Sequence, residues 1–560
     1  MYKVQLTMTE IMQFLQKVTL IQGGMGAYVS NWRMAKTVAM ERLGITAGTV
    51  SGTGLDVVYV RLLQLGDPGG HVRRALAAFD AQFGIAIGHK ISDRYFIAGG
   101  KSPTARFKNA PKQVVAGGDR KSLDRKSLEQ EVAGRGETED GRREMENRVG
   151  LPSSVYGLPL AGELADPVAL ALDEEIVELL IATAFAEVWL AKEGHAGNIF
   201  INFLHKIELP LIYAIYGAML AGVDGIIVGA GNPDGLPAVC SRLANHEAVT
   251  HDLSVLYREA GEVFYIPFDP RRVADGKLAQ HPLRRPAFLA IVSLDNLVKA
   301  LAQSPSGAPD GFIIEHHTAG GHNAGPQGPL KKDGKGQPIY GAEDEPDLQA
   351  ICQVGLPFWL AGGYGSHEKL QQALAAGATG VQVGTVFALT EESGIKSTYR
   401  SAILNELKKG TDDAALVQTT LVSPTGFPFK VVQLRGTLAD EAVYAARHRV
   451  CDLGLLQQRG LSKAAADGTR QLFHRCPAAP VEDFVNKRGL QRNTEGRRCL
   501  CNGLLSCVGL GQVGKQNGEL LEEPAIVTLG NHLDGIRRLS RHGQTPYWVR
   551  DVVNDILGIG

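Results

Sequence analysis

The fold is decided by residues 357–385, which read PFWLAGGYGSHEKLQQALAAGATGVQVGT. Two short apolar runs, residues 357–360 and 380–383, stand at either end, and glycines follow the first run. Between them, leucine and alanine recur at helical spacing over residues 367–377, a glycine ends that stretch, and Ser366 is placed to cap its start. The stretch predicts a strand, a helix and a second strand, the unit from which parallel sheets are built.

The same alternation of short apolar runs and amphipathic stretches recurs along most of the chain. Eight runs are predicted to form strands, at residues 18–22, 44–50, 198–203, 225–228, 288–292, 311–315, 357–360 and 380–383. Eight such units indicate an α/β fold of the TIM (β/α)8 type, in which the functional residues lie at the carboxyl ends of the strands. An open doubly wound sheet would give the same periodicity, and the count of eight favours the closed barrel.

Two regions interrupt this alternation. A long insertion separates strands two and three, and within it residues 101–150 are polar, mixed in charge and poor in large apolar side chains, which predicts a mobile surface segment. From residue 421 onward the rhythm of strands and helices is lost, and proline and glycine clusters become frequent. The sequence therefore predicts a barrel over residues 1–420 and a C-terminal extension over residues 421–560 that covers or flanks it.

Charge and cysteine content argue against several classes of protein. The chain has 58 lysines and arginines against 59 aspartates and glutamates, so its net charge of −1 gives no field that would gather nucleic acid or anionic lipid. Seven cysteines in 560 residues are too few for a disulfide scaffold, and the N-terminus lacks the apolar core of a secretory signal. The apolar run at residues 176–191 contains two glutamates and is short for a membrane span. We expect a cytoplasmic protein that acts on a small molecule, without nucleic-acid or membrane partners, and that is free to form oligomers.

The predicted ends of strands seven and eight have the composition of a phosphate site. Ala361, Gly362 and Gly363 follow one strand, and Gly384 and Thr385 follow the other. Glycine lets backbone amides approach phosphate oxygens closely, and the loops after these two strands often bind phosphate in TIM barrels. The alternative is that these glycines only end their strands, which is less favoured because both loops stand at the expected positions.

The predicted end of strand six, EHHTAGGHN, supplies a candidate catalytic base. His322 follows Gly320 and Gly321, and a histidine at a barrel mouth can exchange a proton near neutral pH. A structural hydrogen bond is its alternative role. The neighbouring His316 and His317 are expected to point to opposite faces of the strand, so no metal site is predicted there.

Strands one and three are predicted to contribute a flat surface and an amide group. Gly23, Gly24 and Met25 expose backbone at the end of strand one, which suits a flat ring lying across the mouth. Asn202, at the end of strand three, offers a neutral amide to orient a ligand, with a turn or capping role as its alternative.

Five of the seven cysteines lie in the predicted extension, four of them at positions 451, 476, 499 and 501. Four thiolates can bind zinc, but the long spacings and the C-x-C pair are less typical of zinc sites than C-x2-C pairs are. Buried free thiols are therefore the favoured interpretation, and the sequence predicts no metal.

Four of these motifs, IQGGMG, AGGH, LAGGYGS and QVGTVF, occur in this order on predicted strands one, six, seven and eight. With stretches such as SNWRMAKTV, DPGGHVRRAL, SPTGFPFK and RCLCNGLL, they closely resemble the FMN-dependent nitronate monooxygenases, formerly called 2-nitropropane dioxygenases. The likeness is greatest to the long bacterial-type members of that family. It covers nearly the whole chain except the charged insertion.

The resemblance implies a TIM barrel that holds one noncovalent FMN and oxidises alkyl nitronates or nitroalkanes with O2 to carbonyl compounds and nitrite. By motif match, His322 would be the catalytic base or the partner of the anionic substrate. The cofactor-binding residues would be Gly23, Gly24, Met25, Asn202, Gly320, Gly321, Ala361, Gly362, Gly363, Gly384 and Thr385. Ser293 ends strand five where some compact members of the family have a lysine near the flavin, so the charge that stabilises reduced FMN is expected to differ here.

Two other interpretations stay open. The motifs IQGGM and AGGH also occur in flavin-dependent enoyl-acyl-carrier-protein reductases, which share the barrel and take hydride from NAD(P)H. A flavin-binding barrel without catalytic activity, serving as a subunit of a larger assembly, is the other. An assay of alkyl nitronate oxidation beside NAD(P)H consumption with enoyl thioesters separates the three.

Overall fold

A computed structural model describes residues 7–110, 114–116, 167–447, 449–466, 468–516 and 518–559. Eight parallel strands close into a barrel, β1 (Leu20–Gln22), β2 (Thr46–Ser51), β3 (Asn198–Leu204), β4 (Gly225–Gly229), β5 (Ala287–Val292), β6 (Gly311–Glu315), β7 (Phe358–Ala361) and β8 (Gly380–Val383). Each strand pairs with the next, and β1 also pairs with β8, where Leu20 lies opposite Val381. Every predicted run overlaps one of these strands, so the TIM barrel is confirmed and the open sheet is wrong.

The short helix Thr385–Ala388 directly follows β8, and a longer helix follows each of the eight barrel strands. In chain order the longer helices are Trp32–Glu41, Leu55–Gln64, Glu208–Leu220, Leu236–Ala244, Asp295–Ala302, Leu348–Val354, His367–Ala375 and Ser397–Lys408. The helix after β7 begins as predicted, because the hydroxyl of Ser366 accepts a hydrogen bond from the backbone N–H of Lys369 at 3.3 Å. This cap fixes where the loop after β7 ends and the helix begins.

The inside of the barrel is filled by apolar side chains. Ile21, Phe200, Ile313 and Trp359 are fully buried there and pack together with the helix Met8–Leu15. This helix is attached through its buried face and closes the amino end of the barrel. A ligand therefore approaches the barrel from the carboxyl end, as in other folds of this type.

The insertion between β2 and β3 adds helices and a small sheet. Its helices are His71–Phe83, Ile87–Tyr95 and Glu174–Lys192. Its sheet contains Val114–Ala116 and Val168–Leu172, which join Phe264–Phe268 and Val249–Asp252 from the region after β4. Apart from residues 101–110 and 114–116, the segment predicted to be mobile lies outside the described residues.

The chain after β8 packs closely on the barrel. Three hairpins are formed by the pairs Val417–Thr420 with Phe429–Val432, Gln458–Leu461 with Leu472–Arg475, and Val513–Gln516 with Glu519–Glu522. The first hairpin spans position 421, so a boundary placed there divides a pair of hydrogen-bonded strands. Beyond Ser397–Lys408, the α-helices of this region are Asp413–Leu416, Glu441–Ala446, Val481–Asn486, Cys501–Cys507, Asp534–Leu539 and Val549–Leu557. The last of them buries Val552 and Ile556 in the same core as Leu370 of the helix after β7.

The apolar run at residues 176–191 lies in the helix Glu174–Lys192, which is buried on almost all sides. Across the described ranges, no helix is both long enough and apolar enough to cross a membrane.

Glu187 is fully buried in the helix Glu174–Lys192 and accepts a hydrogen bond from the hydroxyl of Tyr59 at 2.7 Å. Burial raises the pKa of Glu187 to about 8.

The free energy of unfolding is expected to fall as the pH rises because buried Glu187 must ionise. Replacing Glu187 with glutamine is expected to abolish this fall. Because the folded-state pKa lies above the ordinary value of 4.5, the folded protein binds more protons than the unfolded chain between these two values, and stability falls as the pH rises through them. At pH 7 the variant is expected to gain about 3 kcal/mol in the free energy of unfolding relative to the natural protein, and little at pH 4.5. Urea denaturation at several pH values measures this difference. Glu174→Gln, on the exposed first turn of the same helix, is the control, and parallel pH curves for the Glu187 variant and the natural protein would contradict the prediction.

Candidate active site

The ends of β1, β3 and β8 meet at the carboxyl mouth of the barrel. The N–H of Gly23 donates to the carbonyl oxygen of Val383 at 2.8 Å, and the side-chain amide of Asn202 donates to the carbonyl oxygen of Gly24 at 3.2 Å. A Cβ atom on Gly24 would lie 2.2 Å from the Cβ atom of Asn202, so only glycine fits beside this side chain. The Oδ1 atom of Asn202 is buried and has no hydrogen-bond partner in the described part of the chain. It is therefore available to a ligand N–H group.

The loop after β1 is held in place by two buried polar side chains. The hydroxyl of Ser30 accepts hydrogen bonds from the backbone N–H of Met25 at 2.9 Å and from the side-chain amide of Gln22 at 2.8 Å. This loop brings Met25 beside Gly384, where a Cβ atom on the glycine would lie 3.6 Å from the Met25 sulfur. Five of the predicted site residues, Gly23, Gly24, Met25, Asn202 and Gly384, are thus brought together.

The loops after β7 and β8 present free backbone amides. Gly362 and Gly363 adopt φ angles of 94° and 85°, a left-handed conformation that favours glycine, directly after buried Ala361. The N–H groups of Gly362, Gly363, Gly384 and Thr385 donate to no acceptor within the described ranges. All four residues are partly exposed to solvent. Neighbouring amides without a protein partner are the arrangement that binds anions such as phosphate.

A C-terminal segment, residues 528–532, lies against these loops. The N–H of Gly530 donates to the hydroxyl of Thr385 at 2.9 Å, and the hydroxyl of Thr528 accepts from the N–H of Gly321 at 2.8 Å. A Cβ atom on Gly320 would lie 2.9 Å from the nitrogen of Gly530, so the two backbones touch. The segment thus joins the loops after β6 and β8. This segment was not predicted from the sequence, although the apolar run Ala-Ile-Val-Thr-Leu before Gly530 is a local signal of an extended segment that leads into a glycine turn.

His322 is partly buried next to the start of the C-terminal extension. Its Nε2 atom is 2.6 Å from the hydroxyl oxygen of Ser423, and its ring meets the ring of Phe429 edge to face at 4.8 Å. Burial, together with the nearby charge of Lys206, lowers the pKa of His322 to about 3. The imidazole is therefore neutral at physiological pH, which suits it to hydrogen bonding better than to holding a proton taken from a substrate.

Lys206 is a functional candidate that the sequence analysis missed. It stands two residues after the end of β3, and its ammonium lies 3.1 Å from the centroid of the Phe427 ring. Among the residues that the structure describes, this ammonium has neither a salt bridge nor a hydrogen bond. Burial lowers the pKa of Lys206 to about 7. The available signal was its position, since a basic residue directly after a barrel strand reaches the mouth.

The two adjacent histidines differ from the sequence expectation. The rings of His316 and His317 lie on the same side with their centroids 4.0 Å apart. The expectation of opposite faces holds only inside a strand, and β6 ends at Glu315, one residue before the pair. The prediction of opposite faces is therefore wrong.

The cysteines at positions 451, 476, 499 and 501 are free thiols, and Cys476 and Cys499 are buried. Burial raises the pKa of Cys499 to about 11, so this thiol stays protonated. Among the described residues, one group of three or more metal-binding side chains has its ligand atoms within 4.8 Å of one another, and it contains no cysteine.

The mouth residues fit the FMN that the resemblance implies. The four free amides after β7 and β8 suit a phosphate group, and the unpartnered Oδ1 of Asn202 suits an N–H group of a flavin ring. The bare backbone of Gly23 and Gly24 leaves one side of the mouth without side chains that would obstruct a flat ring.

A comparison with protein families matches residues 273–423 to the model described as nitronate monooxygenase. The match covers less than half of the chain and includes β5 to β8, His322 and all four free amides. A comparison with curated proteins finds no match.

Solved structures with some likeness include FabK from Thermotoga maritima, at a TM-score of 0.36 and 14% identity over 68% of this chain and 81% of that one. A nitroalkane oxidase from Streptomyces ansochromogenes gives a TM-score of 0.35 and 12% identity over 75% of this chain and 78% of its own. The enoyl reductase domain of MlnA from Bacillus amyloliquefaciens gives a TM-score of 0.34 and 13% identity over 69% of this chain and 85% of its own. Likenesses at this level carry no argument about function, and the fold assignment rests on the strand pairing itself.

Proposed function

We propose that this protein is an FMN-dependent oxidoreductase that oxidises alkyl nitronates with O2 to carbonyl compounds and nitrite. The observation that carries the proposal is the set of free amides at Gly362, Gly363, Gly384 and Thr385, inside the segment that matches the nitronate monooxygenase model. These amides suit a phosphate-bearing cofactor at the position where TIM barrels bind phosphate.

The two ends of the cofactor would be held by different strands. Gly362, Gly363, Gly384 and Thr385 would bind its phosphate, with the Thr385 hydroxyl already fixed by the N–H of Gly530. Gly23, Gly24, Met25 and Asn202 would lie along its ring, and the Asn202 Oδ1 would accept a hydrogen bond from it. Bound there, FMN supplies the capacity to accept electrons from the substrate and pass them to O2.

Lys206 and His322 are proposed to act on the substrate. A nitronate is an anion, and the unpaired ammonium of Lys206 offers it a charge partner in a partly dehydrated setting, where such an interaction is strong. The neutral ring of His322, oriented by Ser423, would hydrogen-bond the substrate without competing for its charge. Lys206 thus provides the positive charge that Ser293 at the end of β5 does not supply.

An apolar cavity supports a substrate with an alkyl chain. It lies between the ends of β2 and β3 and is lined by Leu55, Leu180, Phe203 and Ile207 among others. Ile207 follows Lys206 directly, so a substrate whose anionic group meets the ammonium has apolar space nearby for its chain.

The decisive experiment is an absorbance spectrum of the purified full chain, followed by assays of nitronate oxidation and of enoyl thioester reduction on the same sample. We expect flavin absorbance, release of FMN on denaturation, and nitrite formation with O2 uptake when an alkyl nitronate is added. NAD(P)H consumption with an enoyl thioester in place of nitronate turnover would make the protein an enoyl reductase. Bound flavin without either activity would make it an inert flavin subunit, and a chain that stays colourless after incubation with FMN would end the proposal.

A further inference from the structure

Three side chains from two segments meet beside the mouth of the barrel. His316 and His317 directly follow β6, and Glu345 lies in the connection to the helix Leu348–Val354. The Nε2 atom of His316 is 2.9 Å from a carboxylate oxygen of Glu345. One ligand atom from each of the three residues lies within 4.8 Å of the other two. Among the described residues, these three side chains form the group of metal-binding residues that meets this distance.

Both ring nitrogens of His316 have fixed polar partners. Its Nδ1 atom lies 2.8 Å from the hydroxyl oxygen of Thr318, which can accept the Nδ1 proton. Without an ion, Nε2–H donates to the Glu345 carboxylate, and Nδ1 accepts from the backbone N–H of Thr318 at 3.4 Å. A metal ion would replace the Nε2 proton, and Nδ1–H would then donate to the Thr318 hydroxyl. Histidines that bind metals commonly donate their second ring N–H to a fixed acceptor, which sets both the tautomer and the ring orientation.

His317 is held by stacking. Its ring lies parallel to that of Tyr340, with the centroids 3.7 Å apart and the planes at 7°. The Tyr340 hydroxyl donates to the carbonyl oxygen of Ala324 at 3.0 Å, so the aromatic ring beneath the histidine is itself anchored.

Open space adjoins the cluster. A small cavity is lined by His317 and Tyr340 together with Ser293, Glu315 and Asp344. Glu345 is exposed and the two histidines are partly exposed, so an ion can reach all three from solvent. Three protein ligands leave coordination positions for water or for a small molecule in the cavity.

We propose that His316, His317 and Glu345 bind a divalent transition-metal ion such as Zn2+ or Co2+. Two imidazole nitrogens and one carboxylate oxygen are the ligands that such ions prefer, whereas Ca2+ and Mg2+ prefer sites made of oxygen alone. The bound ion tethers the connection that carries Glu345 to the loop that carries His322, with its open positions facing the cavity. This site follows from the geometry of the three side chains and does not depend on the proposed flavin chemistry.

The test is a Co2+ titration of the full chain after treatment with a chelator, followed by visible absorbance and by calorimetry. We expect one equivalent to bind with the d–d bands of nitrogen and oxygen ligation. Glu345→Gln and His317→Gln are each expected to weaken binding on the order of 10-fold to 100-fold, and Thr318→Val to weaken it less. Intense charge-transfer bands from thiolate ligation would place the ion at the cysteines instead and overturn the proposal.

A matched control exists on the surface of the insertion. His89 and Asp93 form an exposed histidine–carboxylate pair at 3.3 Å in the helix Ile87–Tyr95. His89→Gln is expected to leave Co2+ affinity unchanged. The proposal would be overturned if His89→Gln lost as much Co2+ affinity as the site variants, or if Glu345→Gln and His317→Gln both kept the natural affinity. Because Glu345 is exposed, Glu345→Gln is expected to keep the melting temperature of the metal-free protein, so that loss of binding is not loss of fold.

Discussion

Replacing Lys206 with methionine is expected to lower kcat/KM for alkyl nitronates by about 100-fold or more, in keeping with the loss of one preorganised charge partner from a partly dehydrated site. The methylene stem is largely conserved in methionine, so the packing against Phe427 is expected to survive. Flavin content is expected to stay that of the natural protein, because Lys206 is not among the residues proposed to hold the cofactor. Oxygen uptake and nitrite release, measured beside the flavin absorbance of the same samples, check both parts.

The controls for Lys206 separate charge from packing. Lys206→Arg keeps the positive charge and is expected to retain more activity than Lys206→Met. Lys299→Met removes an exposed lysine that pairs with Asp295 at 2.8 Å on the helix after β5, and it is expected to leave turnover unchanged. Equal activity of Lys206→Met and Lys299→Met would exclude Lys206 from the site.

The change of kcat/KM with pH is expected to have opposite signs for nitronates and for neutral nitroalkanes. With a preformed nitronate, the ammonium of Lys206 is the useful form, so kcat/KM is expected to fall as the pH rises through about 7. With a neutral nitroalkane, a proton must first be removed, and the free amine above this pH is the useful form, so kcat/KM is expected to rise. Both slopes are expected to disappear in Lys206→Met. His322, with its pKa of about 3, contributes neither slope in this range.

The barrel could be predicted because its signals are local. Each strand is a short apolar run, and each helix has its own spacing and cap, as the hydrogen bond from Lys369 to Ser366 illustrates. The sequence also predicts that the glycines at the ends of β7 and β8 lie side by side, because strand order alone brings these two loops together.

The rest of the mouth depends on contacts between residues far apart in the chain. Gly530 meets Thr385 across 145 positions, and no periodicity in either segment reports that contact. The side chain of Lys206 gains its lowered pKa only when Phe427 and its neighbours exclude water from it. The pairing of His316 with Glu345 similarly requires the chain to turn back after β6, which a strand pattern ending at Glu315 does not specify.

Replacing Gly363 with valine is expected to yield a folded protein that binds less than about a tenth of the natural amount of FMN. Gly363 has a φ of 85°, which strains any β-branched residue by about 1–2 kcal/mol, and its Cβ atom would lie 2.6 Å from the ring of His532. The loop after β7 must move to relieve the backbone strain and the collision with His532. This movement displaces the amides of Gly362 and Gly363 from those of Gly384 and Thr385.

Gly355→Val is the matched control for this loop. Gly355 has a similar φ of 76°, ends the helix Leu348–Val354 and has no atom within 4 Å of where its Cβ atom would lie, so its substitution adds the same backbone strain without the collision. We expect Gly355→Val to lower the melting temperature while FMN affinity, measured by quenching of flavin fluorescence, stays natural. Adding His532→Ala to Gly363→Val removes the collision and leaves the strain, so partial recovery of FMN binding is expected. If Gly363→Val bound FMN as tightly as Gly355→Val does, the loop after β7 would not be the phosphate site, because its amides could then move without consequence for the cofactor.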